Sequence, residues 1–143
     1  MNIKDDFILS KINEGYLVGG SVRDALMGKS FVDRDIAIKG AEEFAKKLAE
    51  KFNATFIVLD PEYKIYRLVL EDKINYLDIS EIQGGVNATI EYDLARRDFT
   101  MNAIAYSEKD GFVDFFGGIK DIEDKVIKAV GDPYERFSED KLR

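Results

Sequence analysis

Between Tyr16 and Lys39 the chain reads YLVGGSVRDALMGKSFVDRDIAIK, an order of residues that few local structures accommodate. Tyr16-Leu17-Val18 is a short apolar run with the character of a buried strand. Gly19-Gly20 follow. Ser21 with Asp24 three residues on has the pattern of a capping box, which predicts a helix starting there. That helix is short, with Val22, Ala25 and Leu26 on its apolar side and Gly28 as its stop. A second strand, Val32 to Ile38, comes next. Strand side chains alternate, so Asp33 and Asp35 share one face while Ile36 and Ile38 share the other.

A glycine pair feeding a helix N-terminus lets backbone N–H groups hold a phosphate. Two carboxylates on one strand face repel each other, and a divalent cation such as Mg²⁺, which takes hard oxygen ligands, is the usual reason to keep them there. Each feature alone has an ordinary explanation: a capped turn in the first case, solvated edge charge in the second. On consecutive elements they point to a metal–nucleotide site. Gly19, Gly20 and Ser21 are its candidate nucleotide-binding residues, and Asp33 and Asp35 its candidate metal ligands.

Composition narrows the chemistry. The 143 residues suit one domain with a true core, and 45% are hydrophobic. There is no cysteine and no histidine, so disulfides, thiolate sites and imidazole catalysis are excluded, and carboxylates with oxygen-ligated metals remain. No apolar run is long enough to span a membrane, no secretory signal is present, and a cytoplasmic location is expected. Net charge is −7, whereas a self-sufficient nucleic-acid binder carries a basic face.

The remaining sequence reads as alternating helices and strands. Ile3, Phe7, Ile8 and Ile12 fall at helical spacing and predict an N-terminal helix over 2–13. Ala41 to Phe52 is an amphipathic helix with Phe44, Leu48 and Phe52 as its apolar stripe. Thr55 to Leu59 is a strand, and Tyr63–Leu70 with Ile74–Ser80 form a hairpin about Glu71-Asp72-Lys73. Within it Asp78 interrupts an apolar strand; it is either an exposed strand-face carboxylate or a third acidic group for the site. Gln83 to Asn87 is a loop, and Ala88 to Leu94 a short helix before Arg96-Arg97-Asp98. Ile104–Ser107 and Phe112–Asp114 form a second hairpin. A helix follows from Ile119 to about Lys125, with turn or cap roles for Asp114 and Asp121. A final helix opens at Asp132-Pro133.

Four blocks carry a family resemblance. GGSVRD followed by DRD, RRDFTMNAIAY over 96–106, DFFGGIKDIEDKVIKAV over 114–130 and Glu139-Asp140-Lys141-Leu142-Arg143 stand in order. They resemble the motifs of the class II tRNA nucleotidyltransferases, the CCA-adding enzymes and bacterial poly(A) polymerases of the polymerase-β-like superfamily. The resemblance implies an α/β head with a mixed, mostly antiparallel sheet of five to seven strands and helices mainly on one face. Residues 1–131 would form that head, and 132–143 the start of a neck helix.

The resemblance also implies a function. Nucleotides from CTP or ATP would be added to a tRNA 3′ end with Mg²⁺ as cofactor, a poly(A) polymerase being the related alternative. It makes Asp33, Asp35 and Asp78 the catalytic carboxylates. Arg23, Asp24 and Arg97 become nucleotide ligands, Asn102 a polar contact to the sugar or a structural hydrogen bond, and Asp140 and Arg143 the pair that reads the base. The tRNA would be held mainly by parts beyond this chain. A nucleotide-binding module without turnover is the alternative of another class.

Overall fold

A computed structural model describes residues 3, 6–29, 32–83 and 89–131. Among them a seven-stranded sheet runs in the order β3-β4-β5-β2-β1-β6-β7. Its strands are β1 (Tyr16–Val18), β2 (Asp33–Ile38), β3 (Thr55–Asp60), β4 (Ile65–Val69), β5 (Tyr76–Glu81), β6 (Ala105–Ser107) and β7 (Gly111–Val113). Only the β2–β5 pair is parallel; the other five neighbouring pairs are antiparallel. The expected mixed, mostly antiparallel α/β sheet is what forms.

One face of the sheet carries most of the helical cover. Ile36, Tyr66, Leu68, Leu77 and Ile79 meet Ala41, Ala45 and Leu48 of α2 (Ala41–Phe52). Leu17 and Ile104 meet Val22 of α1 (Gly20–Leu26), with Ile119 and Ile122 of α4 (Gly118–Glu123) packed alongside. The opposite face is covered only in part, where Leu94 of α3 (Ile90–Ala95), Ile82 and Val130 lie against Val18, Ala37 and Ala105. The rest of that face, over β2, β5 and β4, carries the acidic groups.

Two expectations need correction. The fully buried residues of α2 are Ala41, Ala45 and Leu48, while Phe44 and Phe52 flank the contact half-buried. Small residues at the centre let the helix approach a sheet face already filled by Tyr66, Leu68 and Leu77. The N-terminal helix is also not continuous: the described part holds a 3₁₀ turn, Leu9–Lys11, and Phe7 is 64% exposed. Asp6 opens that turn, its carboxylate accepting the Leu9 N–H at 3.0 Å and its carbonyl the Ser10 N–H at 2.9 Å.

That same Asp6 turns inward to Arg34. The guanidinium donates Nε to Asp6 Oδ2 at 2.8 Å and Nη2 to Oδ1 at 2.6 Å, and both side chains are nearly inaccessible. Arg34 Nη1 also donates to the Val32 carbonyl and to Asn75 Oδ1, each at 3.0 Å. A charge on the apolar face of β2 is tolerated because both partners are fully engaged.

The last expected helix, with Asp140 and Arg143, and the Gly84–Asn87 loop lie outside the described residues. Among those described, no helix is long and apolar enough to cross a membrane.

Candidate active site

The strand–Gly-Gly–helix–strand unit folds as its sequence suggests, with one difference. Gly19, not Ser21, is the N-cap of α1, and no side chain caps that helix. Gly19 has φ +67, which favours glycine, and a Cβ there would stand 3.4 Å from both Asp35 Oδ2 and Arg97 Nη1. Ser21 sits one residue inside the helix, 2% exposed. Its hydroxyl donates to the Val18 carbonyl at 3.0 Å and accepts the Asp35 N–H at 3.3 Å. It ties β1, α1 and β2 together and does not line the cavity described next. Asp24 accepts from its neighbour Arg23 at 3.1 Å and lies outside that cavity too.

A cavity of about 300 Å³ opens beside Gly19, lined by Gly20, Arg23, Asp35, Arg97, Asp98 and Asn102 as well. Four of the expected nucleotide ligands other than Gly19 therefore converge on one place: Gly20, Arg23, Arg97 and Asn102. A network fixes them. Arg23 Nη1 donates to Asn102 Oδ1 at 3.0 Å, and Asn102 Nδ2 donates to Asp98 Oδ1 at 3.2 Å. Arg97 Nη2 donates to buried Asp93 Oδ2 at 3.2 Å, and Asp93 Oδ1 accepts the Gln83 N–H at 3.1 Å. Arg97 Nε is buried with no partner among the described residues, and an unpaired N–H of that kind costs about 1–3 kcal/mol. A larger cavity of about 630 Å³ lies near Leu17, Ile36 and Tyr106 on the other face and contains none of these groups.

Next to this cavity stand the acidic residues. Asp35 pairs laterally with Val18 of β1 on one side and with Asp78 of β5 on the other. Burial, then the charges of Asp78 and Asp33, push the Asp35 carboxyl from its ordinary 3.8 up to about 6, with Arg97 and Arg67 opposing. Asp78 thus lies where the third carboxylate was expected, but both its oxygens are engaged. Arg67 Nε donates to Oδ1 at 2.8 Å and Nη2 to Oδ2 at 3.0 Å.

Asp98, Asp93 and Arg67 were not singled out from the sequence. Asp98 sits inside RRDFTMN and could have been read with its neighbours. Arg67 had a signal in the hairpin: pairing Val69 with Tyr76 places Arg67 opposite Asp78.

The wall formed by residues 97–102 is held from behind. Val130 N–H donates to the Asp98 carbonyl at 2.9 Å, and Thr100 N–H to the Lys128 carbonyl at 2.8 Å. Thr100 Oγ1 donates to Asp121 Oδ2 at 2.6 Å. Gly118 presses against the Thr100 carbonyl so closely that any Cβ there would overlap it. Asp114 takes the expected cap role, accepting the Gly118 and Ile119 N–H groups at 2.8 and 3.0 Å.

Residues 15–128 match the family described as Poly A polymerase head domain. A CCA-adding enzyme of Streptococcus gordonii is 38% identical over 95% of this chain and 37% of its own length. The Thermotoga maritima CCA-adding enzyme, solved in complex with tRNA, superposes with a TM-score of 0.76 at 34% identity, covering 90% of this chain and 30% of that one. A CCA-adding enzyme solved with CTP gives 0.78 at 32% identity, covering 95% and 34%. The chain thus spans about a third of the length of such relatives.

Proposed function

The chain belongs to the Poly A polymerase head-domain family, and we propose that it is the catalytic head of a template-independent tRNA nucleotidyltransferase. It would transfer a nucleotide from CTP or ATP to an RNA 3′-hydroxyl with release of pyrophosphate, in the cytoplasm. The observation that carries this reading is the meeting of Asp35 and Arg97 at Gly19, on the rim of a cavity with Arg23 and Asn102. One wall is acidic, as a phosphate-bound cation needs, and the other is cationic, as a triphosphate needs.

The residues fit a divalent cation, for which Mg²⁺ is the proposed identity. Asp35 is a half-buried carboxylate whose neighbours Asp78 and Asp33 oppose its ionisation, and a cation relieves that repulsion. Asp33 and Asp35 would hold the ion. When bound, it polarises the α-phosphate and favours ionisation of the attacking hydroxyl. The other roles belong to the chain. Arg23 and the Gly19–Gly20 backbone would bind the triphosphate tail, and Arg97 would offer its guanidinium, whose Nη1 lies beside Gly19, to phosphate or sugar. Asn102, held by Arg23 and Asp98, would contact the sugar and keep Arg23 in place. In-line attack then requires the RNA end to approach from the side away from the bound pyrophosphate.

Incubation with labelled CTP or ATP, Mg²⁺ and a tRNA lacking its 3′ end tests the assignment. The chain should be used alone and fused to the part of the S. gordonii relative it does not match. Incorporation of C then A by the fusion is the expected result. Tracts of A alone would identify a poly(A) polymerase. Nucleotide binding without incorporation by the fusion would identify a binding module. The chain alone, at net charge −7, is expected to bind nucleotide but to hold tRNA feebly, since phosphate contacts supply most nonspecific affinity.

Arg23→Ala and Arg97→Ala are each expected to weaken nucleotide binding about ten- to hundredfold, the loss of one charge-assisted contact of roughly 1.5–3 kcal/mol. Calorimetric titration with CTP and ATP checks this. Unchanged affinity in either variant would make that arginine structural.

A further inference from the structure

Arg67 and Asp78 face each other across the antiparallel β4–β5 pair, and Asp78 faces Asp35 across the parallel β5–β2 pair. A row of Arg67, Asp78 and Asp35 therefore crosses three strands on the open face of the sheet. The guanidinium takes both Asp78 oxygens, at 2.8 and 3.0 Å, and its carbon lies 4.4 Å from the centre of the Tyr76 ring. A planar fork matched to a carboxylate and stacked on an aromatic ring is fixed in orientation, unlike a lysine at the same place. Among the described residues, no three acidic groups converge as a metal cage.

We propose that Arg67 is a positioning residue that holds Asp78 out of the metal shell, so that the site presents two carboxylates, Asp33 and Asp35, to a divalent cation. Asp78 serves as the counter-charge that keeps Arg67 beside them. The inference rests on Asp33 and Asp35 being the metal pair, and it assigns the third carboxylate a different partner.

Mn²⁺ uptake by the nucleotide-free protein, followed by electron paramagnetic resonance, tests it without reference to turnover. Asp35→Asn should weaken uptake about tenfold or more, since it removes one of two anionic ligands. The neutral deletion Arg67→Met/Asp78→Asn should leave uptake within about twofold of wild type, because it removes no ligand and no net charge. Arg67→Met alone should tighten uptake about tenfold, as the released Asp78 joins the pair. If the neutral deletion weakens uptake as much as Asp35→Asn does, Asp78 is a ligand and the proposal is overturned. If Asp35→Asn leaves uptake unchanged, the metal pair itself is wrong, which is a separate outcome. Should Arg67→Met fail to fold, the double variant decides, because it leaves no unpaired buried charge.

Discussion

Asp35→Asn is expected to cut nucleotide incorporation by the intact enzyme at least a thousandfold while making the cation-free domain more stable. The loss follows from removing one of the two carboxylates proposed to hold the metal, whose stabilisation of the transition state would amount to several kcal/mol, roughly 4 kcal/mol being a thousandfold. The gain follows from the electrostatics. In the unfolded chain Asp35 ionises near its ordinary 3.8, and in the fold near 6. Folding therefore favours the protonated carboxyl, so this group's contribution to stability falls as pH rises from about 4 to about 6 and stays low above that. An asparagine has no such dependence. The variant should match wild type near pH 4 and exceed it by about 3 kcal/mol above pH 7. Urea melts in EDTA across that range measure the difference. A variant less stable than wild type at pH 7.5 would show that Asp35 is not strained, and one with more than a tenth of wild-type incorporation that it is not catalytic.

Arg34→Leu should be the most damaging single change to the fold. It strands the buried Asp6 carboxylate, and breaking a buried pair from one side costs about 3–5 kcal/mol, a large share of the 5–15 kcal/mol that holds a typical domain. Replacing both partners, Arg34→Leu with Asp6→Leu, should recover most of the loss, since no unpaired charge then remains. Burial alone would raise the Asp6 carboxyl, but the Arg34 hydrogen bonds, the Leu9 N–H and the Arg34 charge outweigh it and hold the group below 3.8. A depressed carboxyl stabilises the fold above its unfolded value and loses that effect as acid protonates it. Wild type should therefore weaken as pH falls below the ordinary carboxylate range, and the double variant should not share that component. Equal urea midpoints for Arg34→Leu and wild type would contradict this account.

Local pattern predicted the parts of the fold that depend on local pattern. The strand–glycine–helix–strand unit, both hairpins and the helix after Gly117 follow from periodicity and turn residues, and the structure has them within a residue or two. The convergence of Gly19, Gly20, Arg23, Arg97 and Asn102 was legible only because ordered motifs resemble a known family; composition and spacing do not say that residue 23 meets residue 102. The missed features are long-range. Asp6 reaches Arg34 across 28 residues, and no local rule signals that a helical spacing will break to supply a buried counter-ion. Ser21 was legible as a cap but serves as a tie, because helix α1 begins two residues earlier than a capping box requires.

The hydrogen bonds that join Lys128 and Val130 to the 98–100 backbone set a lower limit on the excisable unit. The wall that carries Arg97, Asp98 and Asn102 is stitched to residues that lie beyond helix α4 and reach Val130, past the last residue of the family match at 128. A fragment cut at the end of α4 would keep all seven strands and every ligand proposed among the described residues, yet lose the stitches that fix Arg97 and Asn102 in place. Motif content and pocket integrity therefore have different borders in this chain.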